Sequence, residues 1–272
     1  MQKRYVNRLR RLLTKTKMIN YKKVKRDFEE EGYSIIKNFY PKKKCNIFLK
    51  KIKKYANNDF APIMNPDREE FLISQTINRI FNFKYLGEKA NFLNNIKKEC
   101  VFFRSLMLNK KILNILNKIK NKKVSALMSQ MIFKEKKTKY AKQSWLPHQD
   151  NSYPKNKNGH YITINIFLDR STKKNGTLYI FEKSHKYGIF KYKKKISYRE
   201  KDFRPGNSIS TKKFKRIDLK FDKGDMIILH GNLIHGSYPN NSNYSRPLYS
   251  VSYIAKGEKF ISGRNAQRKE LN

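Results

Sequence analysis

Apolar residues recur at helical spacing in the first half of the chain and alternate at period two in the second half. Residues 21–31 read as a helix stopped by Gly32, a residue suited to the left-handed position after a helix end. A short strand follows to Phe39, and Pro41 opens another helix carrying Cys45, Phe48, Leu49, Ile52 and Tyr55 on one face. Residues 58–85 read as an irregular aromatic loop over a site. Helical spacing returns over 86–98 and 109–120, the latter with Ile112, Leu116 and Ile119 in one stripe. From Val124 the period changes. Strands are expected over 125–133, 161–168, 177–181, 216–221, 225–230 and 247–254. Turn signals divide them at Asn175-Gly176, at Lys223-Gly224 and from Pro239. Residues 186–215, rich in Lys, Ser and Gly, read as a long insertion or lid. Helices followed by many short strands predict a mainly β protein, a barrel or sandwich with helices packed outside.

Composition narrows this picture. With 272 residues and 38% apolar positions, the chain can bury a sizeable core in one domain of residues 21–272, behind a basic arm at 1–20. Two cysteines, Cys45 and Cys100, make neither a disulfide framework nor a zinc pattern, which fits a reducing cytoplasm. No apolar run reaches the roughly 20 residues of a membrane helix.

Charge changes it less. Lys and Arg number 63 against 21 acids, a net charge of +42. Such a field suits a polyanion such as nucleic acid. The excess is mostly lysine, spread along the chain among abundant Asn and Ile. That is the signature of codon bias, whereas a dedicated nucleic-acid surface favours clustered Arg. A nucleic-acid partner is therefore not expected, and the field would still draw in anionic small molecules.

The candidate chemistry lies at His148-Gln149-Asp150. On an extended strand, residues two apart face the same side, so His148 and Asp150 can reach one ion together. One more histidine completes the 2-His-1-carboxylate triad of non-haem iron oxygenases. His230 and His235 are both candidates for it.

These residues carry a resemblance. His148-Gln149-Asp150 resembles the H-x-D of the phytanoyl-CoA dioxygenase family. Leu168-Asp169, then Asn175-Gly176, Leu178 and Ser184-His185, follow that family's next segment. Gly224-Asp225, His235-Gly236-Ser237 and Arg246 follow its last one, and Glu31-Gly32-Tyr33 its opening. The resemblance implies a double-stranded β-helix (a jelly-roll, cupin-like barrel) buttressed by α-helices. It implies a dioxygenase using iron(II), 2-oxoglutarate and O2 to hydroxylate a small molecule, with succinate and CO2 released.

Carried over by position, His148, Asp150 and His235 hold the metal, and His230 is the runner-up. Arg246 and Ser237 bind the cosubstrate, with Gln130 a further contact. Asn165, Gln143, Trp145 and Tyr153 are the substrate candidates. Asn165 stands where the family often carries Trp, and Glu182-Lys183 where it carries Pro-Gly. The alternatives are a non-catalytic or polyanion-binding relative on the same fold, or a zinc hydrolase. The hydrolase would use the triad without needing Arg246.

Overall fold

The computed structural model describes residues 19–53, 63–64, 106–134, 136, 141, 144–152, 154–191 and 209–259. The expected helix at 86–98, Cys100, Gln143, Tyr153, nearly all of the basic arm and the middle of the 186–215 insertion lie outside them. So does the 58–85 loop, except at residues 63–64.

Helix α1 (Tyr21–Glu31) begins at Asn20, whose side chain accepts the Lys23 N–H at 3.0 Å. It ends on Gly32, at φ 82°, whose N–H returns to the Phe28 carbonyl at 3.1 Å. Strand β1 (Tyr33–Ile36) and helix α2 (Lys42–Lys53) follow. Inside the stretch expected to be irregular, Ile63–Met64 forms a two-residue strand, β2, against β3. Helix α3 (Lys110–Lys120) is capped by Asn109, whose side chain accepts two backbone N–H groups. The second half is strands, as expected: β3 (Val124–Lys134), β4 (Trp145–His148), β5 (Tyr161–Phe167), β6 (Leu178–Phe181), β7 (Arg216–Asp218), β8 (Met226–His230), β9 (His235–Ser237) and β10 (Arg246–Ala255). Neither β4 nor β9 is among the strands the periodicity predicts, because runs of four and three residues hold little alternation to read.

Among the described residues all pairings are antiparallel and make two sheets. One has six strands in the order β1-β8-β5-β10-β3-β2, the other four in the order β4-β9-β6-β7. Alternation along the large sheet gives each face its task. Ile162, Ile164 and Ile166 of β5 point outward with Tyr249, Val251 and Tyr253 of β10, against Val24, Phe28, Ile112, Leu116 and Ile119 of the helices. Each such aliphatic side chain contributes about 1.5–3 kcal/mol of burial free energy before entropic costs. The opposite face of the same strands splits in two. Phe167, Leu248, Ile227 and Leu229 join Leu178, Ile180 and Phe221 in an apolar plug, with the Phe167 and Phe221 rings stacked at 3.8 Å. Beyond the plug, Tyr161, Thr163, Asn165, Ser250 and Ser252 line a cavity that His148, His235 and Ser237 of the smaller sheet close.

The departure at Glu182-Lys183 is legible in the backbone. Lys183 sits at φ 53°, a left-handed position that glycine adopts without strain.

Candidate active site

The site grows from two paired strands. His148 ends β4 and His235 begins β9, and the register sets them directly opposite each other. Their ring centroids are 4.4 Å apart. His148 Nδ1 lies 2.7 Å from the Leu146 carbonyl and His235 Nδ1 lies 3.0 Å from the Leu233 carbonyl. A carbonyl only accepts, so each Nδ1 carries the hydrogen and each Nε2 keeps its lone pair for a cation. Gly236 permits this pairing: a Cβ there would lie 2.5 Å from the Trp145 carbonyl oxygen.

Asp150 arrives by a route the sequence reading did not foresee. Strand β4 stops at His148, and Asp150 opens a 3-10 turn to Ser152. A turn, not strand alternation, brings Asp150 beside His148. The intervening Gln149 is fully buried, donating to the carbonyls of Gly188 at 2.8 Å and Asn232 at 2.6 Å and accepting the Phe190 N–H at 2.8 Å. It ties the metal motif to the strand β9 approach and to the start of the long insertion.

Asp150 Oδ1 lies 3.5 Å from His148 Nε2 and 3.7 Å from His235 Nε2. The three ligand atoms all lie within 4.8 Å of one another, the one such cluster of three found among the described residues. Burial by itself would raise the Asp150 carboxyl. The His235 ring, the His148 contact and the Thr163 hydroxyl outweigh it and hold the group well below the usual carboxylate range. Burial lowers His235, with Asp150 opposing. Two imidazole nitrogens and a carboxylate, open to a cavity on one side, fit a first-row divalent metal with free coordination positions.

Thr163 donates to Asp150 Oδ2 at 2.6 Å. That leaves Oδ1 turned to both rings, so Thr163 holds the carboxylate in a one-oxygen presentation. Thr163→Val is expected to weaken metal affinity about 10- to 100-fold, while Thr163→Ser stays near wild type. Chelator competition measures both, and an unaltered Val variant would remove Thr163 from the site.

The cavity measures about 220 Å³. Ser237 and Arg246 line it as expected, 2% and 1% exposed. Trp145 and Asn165 line it too. Gln130 stands on β3 opposite Ser250, but its side chain is outside the described set. Lys134, the last residue of β3, is fully buried, and its Nζ donates to Ser237 Oγ at 2.8 Å. Burial, with the Arg246 guanidinium nearby, pulls this lysine well below its ordinary value. The available signal was alternation: Lys134 shares parity with Ile132, a cavity residue.

The other histidines are elsewhere. His160 pairs with Glu258 at 2.7 Å, and His185 Nε2 meets the Glu29 carbonyl at the end of α1 at 3.1 Å. His230, the alternative ligand, accepts the Asn232 N–H on Nδ1 at 3.0 Å and faces His185 at 5.2 Å. Burial, aided by His185 and Lys120, brings His230 down to about 3. The unfolded chain takes up this proton near pH ~6.5 and the folded one does not, so stability falls as pH drops from there toward 3. Urea unfolding is expected to lose about 2 kcal/mol from this group between roughly pH 7 and pH 5, and His230→Asn to flatten that slope.

The chain is similar to known proteins over most of its length. The family model described as Phytanoyl-CoA dioxygenase (PhyH) matches residues 28–248. Phytanoyl-CoA dioxygenase 1 of Oryza sativa subsp. japonica is 27% identical over 155 residues, 56% of this chain and 52% of the rice protein. Phytanoyl-CoA dioxygenase of Arabidopsis thaliana is 32% identical over 127 residues, 46% of this chain and 44% of that one. The chain thus spans about half the length of these curated relatives. Among solved structures, the epimerase SnoN in complex with Fe3+, alpha ketoglutarate and nogalamycin RO superposes with a TM-score of 0.61 at 14% identity, covering 90% of this chain and 97% of SnoN.

Proposed function

The chain belongs to the phytanoyl-CoA dioxygenase family, and from that premise we propose that it is a non-haem iron(II)/2-oxoglutarate-dependent dioxygenase hydroxylating a small molecule. The fold is then a double-stranded β-helix formed by the two sheets, within a single oxygenase domain. The observation that carries the reading is the joint presence, around one cavity, of the His148, Asp150 and His235 donors and the buried Arg246. A zinc hydrolase would use the first three and have no need of the fourth.

His148 Nε2, His235 Nε2 and Asp150 Oδ1 would hold the iron. When bound, iron and 2-oxoglutarate supply the two-electron oxidation of a substrate C–H bond by dioxygen, with succinate and CO2 as coproducts. The chain's own contribution is placement. The carbonyls of Leu146 and Leu233 fix both imidazole tautomers. Thr163 fixes the carboxylate. Arg246 offers a planar fork of donors to the distal carboxylate of 2-oxoglutarate, and its charge is permanent. Ser237 adds a hydroxyl beside it. Trp145 and Asn165 then shape the side of the cavity left for substrate, and the fully buried apolar plug keeps water from its far end.

Purified protein with iron(II), ascorbate and 2-oxoglutarate is expected to form succinate slowly without added substrate, and faster with the right metabolite fraction. Zinc in place of iron should give none. Hydrolysis of ester or amide probes by the zinc form, without succinate from the iron form, would overturn the reading.

A further inference from the structure

Lys134 ends β3 with no exposed surface, directly opposite Arg246 in the β3–β10 register. Burying an amine away from water is unfavourable unless its hydrogens find acceptors. Two do: Ser237 Oγ at 2.8 Å, and the Tyr238 carbonyl. The side chain lies in a prepared path. Gly176 underneath adopts φ 90°, and a Cβ there would lie 2.7 Å from Lys134 Cδ. Asn240 Nδ2 donates to the Lys134 carbonyl at 2.7 Å, which holds the strand end in place.

An anion in the adjoining cavity favours the ammonium form of this lysine. An ammonium has donors and no acceptor. Ser237 must then accept from it, and the hydroxyl's own hydrogen has to point elsewhere. Ser237 and Arg246 both line the cavity.

We propose that Lys134 is the positioning residue of the carboxylate anchor: by donating into Ser237 Oγ it turns the Ser237 hydroxyl into the cavity as a donor, alongside Arg246. This rests on the 2-oxoglutarate reading and extends it to selection among 2-oxo acids. The anchor end becomes a hydroxyl donor and a guanidinium, backed by a second cation. It selects a 2-oxo acid with a distal carboxylate over one that ends in a methyl group.

The test compares 2-oxoglutarate with 2-oxovalerate. Equilibrium affinities are measured by calorimetry on the metal-loaded protein without oxygen, and KM and kcat by succinate or CO2 release. Lys134→Met keeps the length of the side chain and removes the donor. It is expected to weaken 2-oxoglutarate about tenfold or more, in Kd and KM alike, with little change in kcat. Its 2-oxovalerate affinity should match wild type. Ser237→Ala should show the same selective loss. The double variant should be no weaker than Ser237→Ala alone, because the lysine acts through the serine.

Equal weakening of both acids by Lys134→Met, or losses that multiply in the double variant, would overturn the proposal. If Lys134→Met does not fold, Ser237→Ala still decides: an unchanged preference for 2-oxoglutarate refutes the donor role. Should the wild type bind both acids alike, the cosubstrate reading itself falls, and the role of Lys134 with it.

Discussion

Asp150→Ala is expected to abolish both iron binding and 2-oxoglutarate turnover, with succinate formation down by roughly a thousandfold or more. The carboxylate is the one anionic ligand, and its Oδ1 sits between the two Nε2 atoms at 3.5 and 3.7 Å. Removing it leaves two neutral imidazoles, a weak site for a divalent ion. His235→Ala should behave alike, since it takes one of three donors from a site that keeps further positions open for cosubstrate. His230→Ala, by contrast, should keep metal binding, because its Nδ1 is engaged with the Asn232 N–H away from the cluster. Iron titration followed by the absorbance of the iron(II)–2-oxoglutarate complex separates these cases. Retained iron affinity in Asp150→Ala would remove the triad from the mechanism.

The second large effect is expected at Arg246. Arg246→Met should raise the KM for 2-oxoglutarate about 30- to 1000-fold, as truncating one partner of a buried charge pair does. Iron affinity measured without cosubstrate should stay within a few-fold of wild type. Arg246 stands at the start of β10, whose Ser252 pairs with Thr163 at the metal end, so the two functions occupy opposite ends of one strand. Arg246→Lys should recover only part of the loss, because an ammonium cannot reproduce the planar fork. Steady-state kinetics against 2-oxoglutarate check both variants. A kcat defect at unchanged KM would place Arg246 outside the anchor.

Different residues of the site were legible to different degrees. His148, Asp150, His235 and Arg246 could be picked out because their types and spacings are dictated by chemistry and leave little choice. Strand alternation does not bring His148 and Asp150 together, since a strand end followed by a 3-10 turn carries them. Turns of this kind depend on contacts far along the chain. Here the Asn151 N–H donates to the Gly231 carbonyl at 2.9 Å and its amide to Asn232 Oδ1 at 2.7 Å. Thr163 is indistinguishable in sequence from any strand threonine until Asp150 is placed against it. Lys134 is harder still. It lies among lysines at 134, 136 and 137 in a chain of +42, where local composition says solvent.

The helices over 21–31 and 109–120, the strand-rich second half and the stop at Gly32 were determined by the sequence alone. They rest on periodicity and backbone preference, which act over a few residues. The same holds for the choice of candidate metal donors and a candidate cationic anchor, because only certain side chains can do that chemistry. Tertiary structure alone decided the split into two sheets, the one-oxygen presentation of Asp150, the exclusion of His230 and the burial of Lys134 under Ser237. Each of those joins residues far apart in the chain. Their energies come from desolvation and hydrogen-bond geometry, which exist only once the sheets have met.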